Sequence, residues 1–512
     1  MSPDIVLIVL DTLRRDRLSI YGHTQETSPA FDRFAERATL FDRAIAPAQW
    51  TVPSHASMFT GLYPTTHQLT QANGKLSPYV PTLAEILRAN GYQTAGFCNN
   101  PLVGVLDNGL TRGFTHFYNY AGAAPNRPRD VTRSAVRRAI ANRWRKFAMA
   151  VSQQFAHNDA LFRLSLHPLL TPIWTRSVNY KGNTSNAIDD VIDTLNTHRS
   201  GGREQPLFTF LNLMGGHMPY RPPRDYLERF APEKDRAAYK FMARFNADAA
   251  RWASPTDPPL TADERAIIDG FYNAEVAHQD YHLGRLLHAL EANGALDDTM
   301  VIIVADHGEG HGDHDFFGHS FVVYQELVHV PLAISYPAQF PSGKRVSTNI
   351  STRRLFHTVL DAASITPPLD DVHPNADVDG LTLRRSTNCK PDTENGLVFA
   401  EAIPPQTFLS VLKHRNPAAI DRLQLTLPRR GVYHDAYKLA MVDQEIEGLF
   451  NVSDDPAEET DITAQNATLA GELQGQIDAF VHAAEQQRVD GASVSGMDDT
   501  MKDNLRALGY LE

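Results

Sequence analysis

The stretch AEVAHQDYHLGRLLHALE at residues 274–291, followed past Gly294 by MVIIVADH at 300–307, decides the fold. In its first part apolar residues recur close to every 3.6 positions, the spacing of a helix with one buried stripe. The second part is a short β-branched run without alternation, the pattern of a strand covered on both faces. Gly294 is the stop between them. The same grammar runs through the first two-thirds of the chain. Comparable apolar runs lie at 4–10, 93–97 and 207–213, and a helical pattern at 82–89 leads into the strand that begins near Tyr92. Alternation of this kind predicts an α/β fold, with a large, mostly parallel mixed sheet sandwiched by helices.

Composition shifts at 365–379, ITPPLDDVHPNADVD, which reads as a boundary loop. Beyond it, 396–402, 430–442 and 446–452 have the look of strands, and 469–486 has helical periodicity. The expected organisation is therefore an α/β catalytic domain over 1–385 and a smaller C-terminal antiparallel α+β subdomain over 386–512.

With 512 residues and 42% apolar content, the chain has material for a large core. Its net charge of −12 excludes general binding to nucleic acid, whose phosphates select basic surfaces. The two cysteines, Cys98 and Cys389, fit neither a disulfide framework nor a cysteine-rich metal site, which suggests a reducing compartment. The opening MSPDIVLIVLDTLRRDR has no basic leader before its first strand, and no apolar run approaches the roughly 18 residues of a membrane span, so a cytoplasmic enzyme is expected. Oligomeric state is left open, a homo-oligomer included. Residues 126–146 carry eight basic side chains, from Arg127 to Lys146, against Asp130 alone. This segment reads as an insertion helix with a solvated basic face rather than as a binding patch.

Active sites of parallel sheets gather at the carboxyl ends of the strands. Asp11 follows the first run, His217 follows the third across a Gly-Gly turn, and Asp306-His307 follows the fourth. Thr51 adds a hydroxyl from the turn WTVPSHASMFTG at 50–61. Should these converge, Asp11, Thr51, Asp306 and His307 form a mixed oxygen and nitrogen metal site able to activate the Thr51 hydroxyl. The run HGEGHGDHDFFGHS at 307–320 places His307, His311, His314 and His319 in one glycine-rich segment, which reads as a catalytic loop. The bland alternatives are a helix cap for Thr51, with Ser54 as nucleophile, and ordinary polar roles for individual histidines.

Several blocks, in order, give the chain a specific resemblance. They are IVLIVLDTLRRDRLSIYG at 5–22, TVPSHASMFTGLYP at 51–64, FTFLNLMGGHMPYRPP at 208–223, TMVIIVADHGEGHGDHDFFGHS at 299–320 with HVPL at 329–332, LFNVSDDPAEETDI at 449–462 and LRALGYLE at 505–512. Together they resemble the sulfatase family of the alkaline phosphatase superfamily, with about 121–201 the least matched part. The resemblance implies an alkaline phosphatase-like fold and a small-molecule anionic ester as substrate. In that family's turn a cysteine or serine becomes formylglycine. Here Thr51 stands at that position and His55 at the arginine position, while Pro53, Ser54, Thr60 and Gly61 are kept. A secondary alcohol cannot be oxidised to an aldehyde, so no formylglycine is expected. The family's Asp-Asp and Asp-Asn pairs are Asp11-Thr12 and Asp306-His307 here, which removes a carboxylate and adds an imidazole. The resulting divalent site favours manganese or zinc, with magnesium or calcium still compatible. Asn99 in GYQTAGFCNN falls at, or within one residue of, a family lysine. A later family lysine is His319, and the family histidine His217 is kept.

The roles that follow by resemblance are His319 or His217 as general acid, His55 as an orienting or oxygen-binding donor, and Asn99 as a neutral donor to the transferred group. His311 and His314 match no family role and leave a second metal open. The expected function is a metal-dependent hydrolase of phosphate, phosphonate or sulfate esters with a Thr51 nucleophile, phosphoesters and phosphodiesters favoured. The alternatives are a sulfuric ester hydrolase working without formylglycine, a soluble phosphoglycerol-type transferase and a non-catalytic metal-binding relative.

Overall fold

The computed structural model describes residues 2–121, 126–128, 181–231, 236–247, 260–367, 377–388, 390, 393–489 and 491–494. Nearly all of the basic stretch at 126–146, the middle of the Pro- and Asp-rich loop, Cys389 and the block at 505–512 lie outside the described residues.

The helix that decided the fold is longer than its apolar period suggests, running over Ala262–Ala292. Its first turn is closed by a capping box, in which the Thr261 hydroxyl accepts from the Glu264 amide and the Glu264 carboxylate accepts from the Thr261 amide. At the other end Gly294 takes a left-handed φ of 68°, which glycine adopts without steric cost.

Nine strands form the large sheet: β1 (Asp4–Leu10), β2 (Thr39–Ile45), β3 (Gln93–Cys98), β4 (His116–Asn119), β5 (Leu207–Leu213), β6 (Thr299–Val304), β7 (His329–Ser335), β8 (Arg345–Val346) and β9 (Ile350–Ser351). Their order is β8-β2-β7-β6-β1-β5-β3-β4, with β9 also on β2. The strands from β6 to β4 are mutually parallel. Strand β7 runs antiparallel to both β6 and β2, so the sheet is mixed as expected. Every residue of β1, β5 and β6 is buried, as the unbroken apolar runs require.

Four further strands, β10 (Val398–Ala402), β11 (Arg429–His434), β12 (Tyr437–Val442) and β13 (Glu445–Asn451), form an antiparallel sheet in that order. The run read as one strand at 430–442 is a hairpin that turns at Asp435, whose φ is 50°. Helix Ala467–Gln486 covers this sheet, with Ala470, Leu473 and Ile477 against Val432, Leu439, Met441 and Leu449. The first strand faces the other way. Val398, Ala400 and Ala402 belong to the main core, and Glu401 bridges in parallel to Ala48, three residues before Thr51.

Register brings the strand ends level. Leu10 pairs with Leu213, and Val9 pairs with both Asn212 and Val304. Cys98 pairs with Asn212. Residues 11, 99–100, 212 and 306 consequently emerge along one edge.

Candidate active site

Thr51 opens the helix Thr51–Thr60, and the preceding Trp50 provides no side-chain cap. The helix ends at Gly61, whose φ of 72° is the left-handed C-terminal stop that the retained Thr-Gly pair foreshadows. Ser54 donates its hydroxyl to the Asp306 carbonyl at 2.7 Å and so ties this helix to the end of β6. The Thr51 hydroxyl lies 3.2 Å from His307 Nε2. His307 donates Nδ1–H to the Gly308 carbonyl at 2.8 Å, which leaves Nε2 as a lone-pair donor facing Thr51.

Asp11, Asp306 and His307 each offer a ligand atom, all within 4.8 Å of one another, and all three are completely buried. Asp11 Oδ2 accepts from Asn100 Nδ2 at 2.8 Å and from Asn212 Nδ2 at 3.0 Å. Asp306 Oδ1 accepts from the amides of Thr12 and His307 at 3.2 and 2.9 Å. The other oxygens, Asp11 Oδ1 and Asp306 Oδ2, are buried without a hydrogen-bond partner. Two orphaned carboxylate oxygens beside an imidazole lone pair are the donor set of a divalent cation, so these residues fit the metal that the sequence implies. The electrostatics agree. Burial and the charge of Asp11 push the Asp306 carboxyl well above the usual carboxylate range. Burial, with His319 beside it, pushes the His307 imidazole far down into its neutral, ligating form.

Thr12 occupies a left-handed φ of 57°, an outlier for a β-branched residue. Its amide reaches Asp306 Oδ1, its hydroxyl donates to the Asp11 carbonyl at 2.7 Å, and the Tyr272 hydroxyl donates to its carbonyl at 2.7 Å. The bent backbone links the two carboxylate-bearing strand ends.

His55 donates Nδ1–H to the Thr51 carbonyl at 2.9 Å and accepts on Nε2 from Asn212 at 3.3 Å. It is wedged edge-on between Phe59 and Phe210, and burial lowers its pKa, so it sits neutral. Its contact with Thr51 is thus through the backbone. Asn99 directs Nδ2 to Thr184 at 3.4 Å, whereas its neighbour Asn100 touches both Asp11 and, at 3.4 Å, the Thr51 hydroxyl. The one-residue latitude in the sequence reading resolves, in contacts, toward Asn100.

His319 lies against His307 at a tilt of 38°, with ring centroids 4.5 Å apart, and meets His217 edge-on at 5.3 Å. Its Nδ1 contacts Glu309 Oε1 at 2.7 Å. Burial works against charge on both partners, but the pairing prevails, raising His319 and lowering Glu309. His217 donates Nδ1–H to the Met218 carbonyl at 2.6 Å, and burial followed by His319 lowers its pKa. His311 and His314 stand apart from the three ligands. His311 is held between Asp269 (2.8 Å) and the Tyr220 hydroxyl (3.2 Å), and His314 is paired with Glu326 at 3.3 Å. Sequence reasoning named neither Asn212 nor Glu309, and reached Asn100 only through the one-residue latitude around Asn99. Asn212 occupies the penultimate place of β5 and Glu309 lies inside the quoted histidine run, but neither position carries a spacing signal.

The fold and this strand-end cluster define an ester hydrolase of the alkaline phosphatase-like class. A family model described as "Sulfatase" matches residues 3–365, and the chain belongs to the sulfatase family. Over 410 residues it is 25% identical to an arylsulfatase of Clostridium perfringens, spanning 75% of this chain and 78% of that one. It is also 24% identical to arylsulfatase K of Bos taurus, over 94% and 82% of the two chains. Among solved structures, the phosphonate monoester hydrolase of Agrobacterium radiobacter superposes with a TM-score of 0.65 at 21% identity, covering 97% of this chain and all of that one. No helix among the described residues is long and apolar enough to cross a membrane.

Proposed function

We propose that this chain cleaves phosphodiester, phosphate, phosphonate or sulfate esters with Thr51 as nucleophile, phosphorus esters being favoured. The observation that carries the reading is the Thr51 hydroxyl, 3.2 Å from the His307 lone pair and beside two carboxylates with orphaned oxygens. Asp11, Asp306, His307 and Thr51 would hold a divalent ion, manganese or zinc by donor type, which when bound supplies Lewis-acid polarisation and lowers the pKa of an adjacent hydroxyl. Thr51 Oγ1 then attacks the phosphorus or sulfur. The Thr51 hydroxyl gives up its proton to solvent as the new bond forms, and the bond to the leaving oxygen breaks. That oxygen takes the proton that His319 holds against Glu309, His217 being neutral beside it. Water afterwards cleaves the Thr51 ester, returning one proton to His319 and leaving Thr51 to regain its own from solvent. Asn100 orients the Thr51 oxygen and Asp11 together, and His55 fixes the backbone at Thr51.

Charge favours singly charged esters. Among the described residues none of Thr51, Asp11, Asp306 and His307 has a lysine or arginine as hydrogen-bond or ion-pair partner, so two carboxylates and a divalent ion sum to zero. A sulfate monoester meets the same condition, and the arylsulfatase relatives keep that second reading in view. The test is turnover of p-nitrophenyl sulfate, phosphate, phenylphosphonate and a p-nitrophenyl phosphodiester by the manganese-loaded protein, wild type and Thr51→Ala. Phosphorus-ester turnover that Thr51→Ala abolishes supports the reading. Turnover of the sulfate alone overturns the substrate preference, and full activity of Thr51→Ala overturns the nucleophile.

A further inference from the structure

The segment between His319 and β7 is gripped from outside the large sheet. Lys438, on β12 of the small sheet, is completely buried and donates its ammonium to the Val323 carbonyl at 2.6 Å and to the Glu458 carboxylate. The second Glu458 oxygen accepts from the Gln325 amide at 2.7 Å. The rings of Tyr324 and Tyr433 flank the ammonium at 5.5 and 5.4 Å. Gly431, on the neighbouring strand, leaves the passage open: a Cβ there would lie 3.3 Å from Lys438 Cε and 3.5 Å from Val323 Cγ2. Nearer the site, Gln49 Nε2 donates to the Ser320 carbonyl at 2.9 Å. The backbone at Pro47 is bonded by the Glu401 amide at 3.0 Å, and the Glu401 carboxylate in turn holds the Thr65 amide and Arg430. The small sheet therefore touches both chain segments that deliver the candidate chemistry, the one leading into Thr51 and the one leaving His319.

Burying an ion pair to hold two backbone groups is a poor source of stability, because desolvation offsets the attraction and an apolar pair of similar volume does as well. What it does supply is a fixed position for the groups it binds. We propose that Lys438 and Glu458 are positioning residues for the His319 loop, so that the C-terminal sheet sets the geometry of the active site without contacting the reacting atoms. The consequence for rate rests on the proposed function; the grip on the loop does not. A misplacement of about 1 Å in a group that must meet the substrate costs on the order of 100-fold in rate.

The test uses the full chain as wild type, Lys438→Met, Glu458→Gln, Gly431→Ala and, as a control that weakens only the packing beneath the small sheet, Ile477→Ala. Two readouts are taken well below each melting temperature: amide hydrogen exchange of 317–328, and kcat and KM on the p-nitrophenyl ester that wild type cleaves best. Lys438→Met is expected to accelerate exchange across 317–328 at least 10-fold while leaving β1 and β6 protected, and to lower kcat by about 10- to 100-fold with KM within about 2-fold. Glu458→Gln keeps an acceptor for the Gln325 amide and loses less. Ile477→Ala lowers the melting temperature and leaves kcat and loop exchange at wild-type values. Should Lys438→Met not fold, Gly431→Ala presses on Lys438 without changing charge and is expected to show the same two effects in smaller measure. Wild-type exchange across 317–328 in the folded variants overturns the proposal. Faster exchange with unchanged kcat overturns its catalytic half. A wild type that cleaves no ester overturns the proposed function, and exchange alone then decides whether the small sheet holds the loop.

Discussion

Replacing Asp306 with asparagine should stabilise the metal-free protein and abolish its response to a divalent ion. Asp11 and Asp306 present ligand atoms within 4.8 Å of each other, each with one oxygen buried and unpartnered. Two full charges at that distance repel by about 3.5 kcal/mol at an effective dielectric near 20. The metal-free protein escapes part of this by protonating Asp306, so the net relief from Asp306→Asn should be ~1–3 kcal/mol. The amide keeps an oxygen for the Thr12 and His307 amides, and its NH2 faces the His307 Nε2 lone pair, 3.4 Å from the present Oδ2. For a chain of this length, whose unfolding entropy is about 2.1 cal/mol/K per residue, that gain corresponds to a rise in melting temperature of ~1–3 °C. Wild type should gain about 2.7 kcal/mol from manganese or zinc at 100 times the dissociation constant, and the variant should gain nothing. Calorimetric melting of chelator-treated protein with and without metal reads both terms. A metal-free variant less stable than wild type, or one still stabilised by the ion, refutes the assignment of these carboxylates to a cation.

Thr51→Ser should keep hydrolysis within about 10-fold of wild type and Thr51→Ala should lose at least about 1,000-fold, as measured by kcat on the best ester, because only the hydroxyl is chemically required. Asn100→Ala should lower kcat on the order of 10- to 100-fold and Asn99→Ala less, since only Asn100 bonds to Asp11 and Thr51; equal losses would count against that division. His314 carries a pH signature remote from the ligands. Burial pushes its imidazole down, but Glu326 more than compensates and holds it at about 9. The stabilisation is therefore complete below the unfolded value of ~6.5 and lost as pH rises through about 9, and urea denaturation between those limits should show a decline that His314→Gln removes.

The layering of the fold was legible because burial on both faces leaves a direct mark. The runs at 4–10, 207–213 and 300–305 have no alternation, and each became a strand with every residue enclosed or nearly so. The mixed character rested on β7, whose HVPL carries no sign of direction, since parallel and antiparallel partners use the same residues. Asp11, Thr51, Asp306 and His307 were legible because they stand immediately after strands or inside a retained turn. Asn212 was not, because an asparagine inside a buried apolar strand differs from a satisfied core amide only through what its register brings opposite. The choice between Asn99 and Asn100 turned on side-chain alternation at a strand end, where one step reverses the face. The helix 262–292 was read only from Ala274, because its polar opening ADERA and the buried Gly270 and Asn273 interrupt the apolar count, although Ile268, Phe271 and Tyr272 continue the buried face.

Relative to the sulfatase pattern, the turn's arginine is His55, a lysine position falls on Asn99 or Asn100, and the later lysine is His319. Of these, His55 is kept neutral by burial and by its aromatic walls, and the asparagines carry no charge. Only His319 is built to hold a proton, and it does so because Glu309 is buried against it. On the proposed reading, charge that fixed cations supply at those positions elsewhere would come here from a divalent ion on Asp11, Asp306 and His307 and from the Glu309-bound imidazole of His319, while the buried Lys181 is engaged by Glu275 and the Pro219 carbonyl. Losing the ion should therefore remove anion binding as well as turnover, so chelated wild type should no longer bind vanadate or tungstate, whereas a site relying on lysine and arginine would retain much of that affinity.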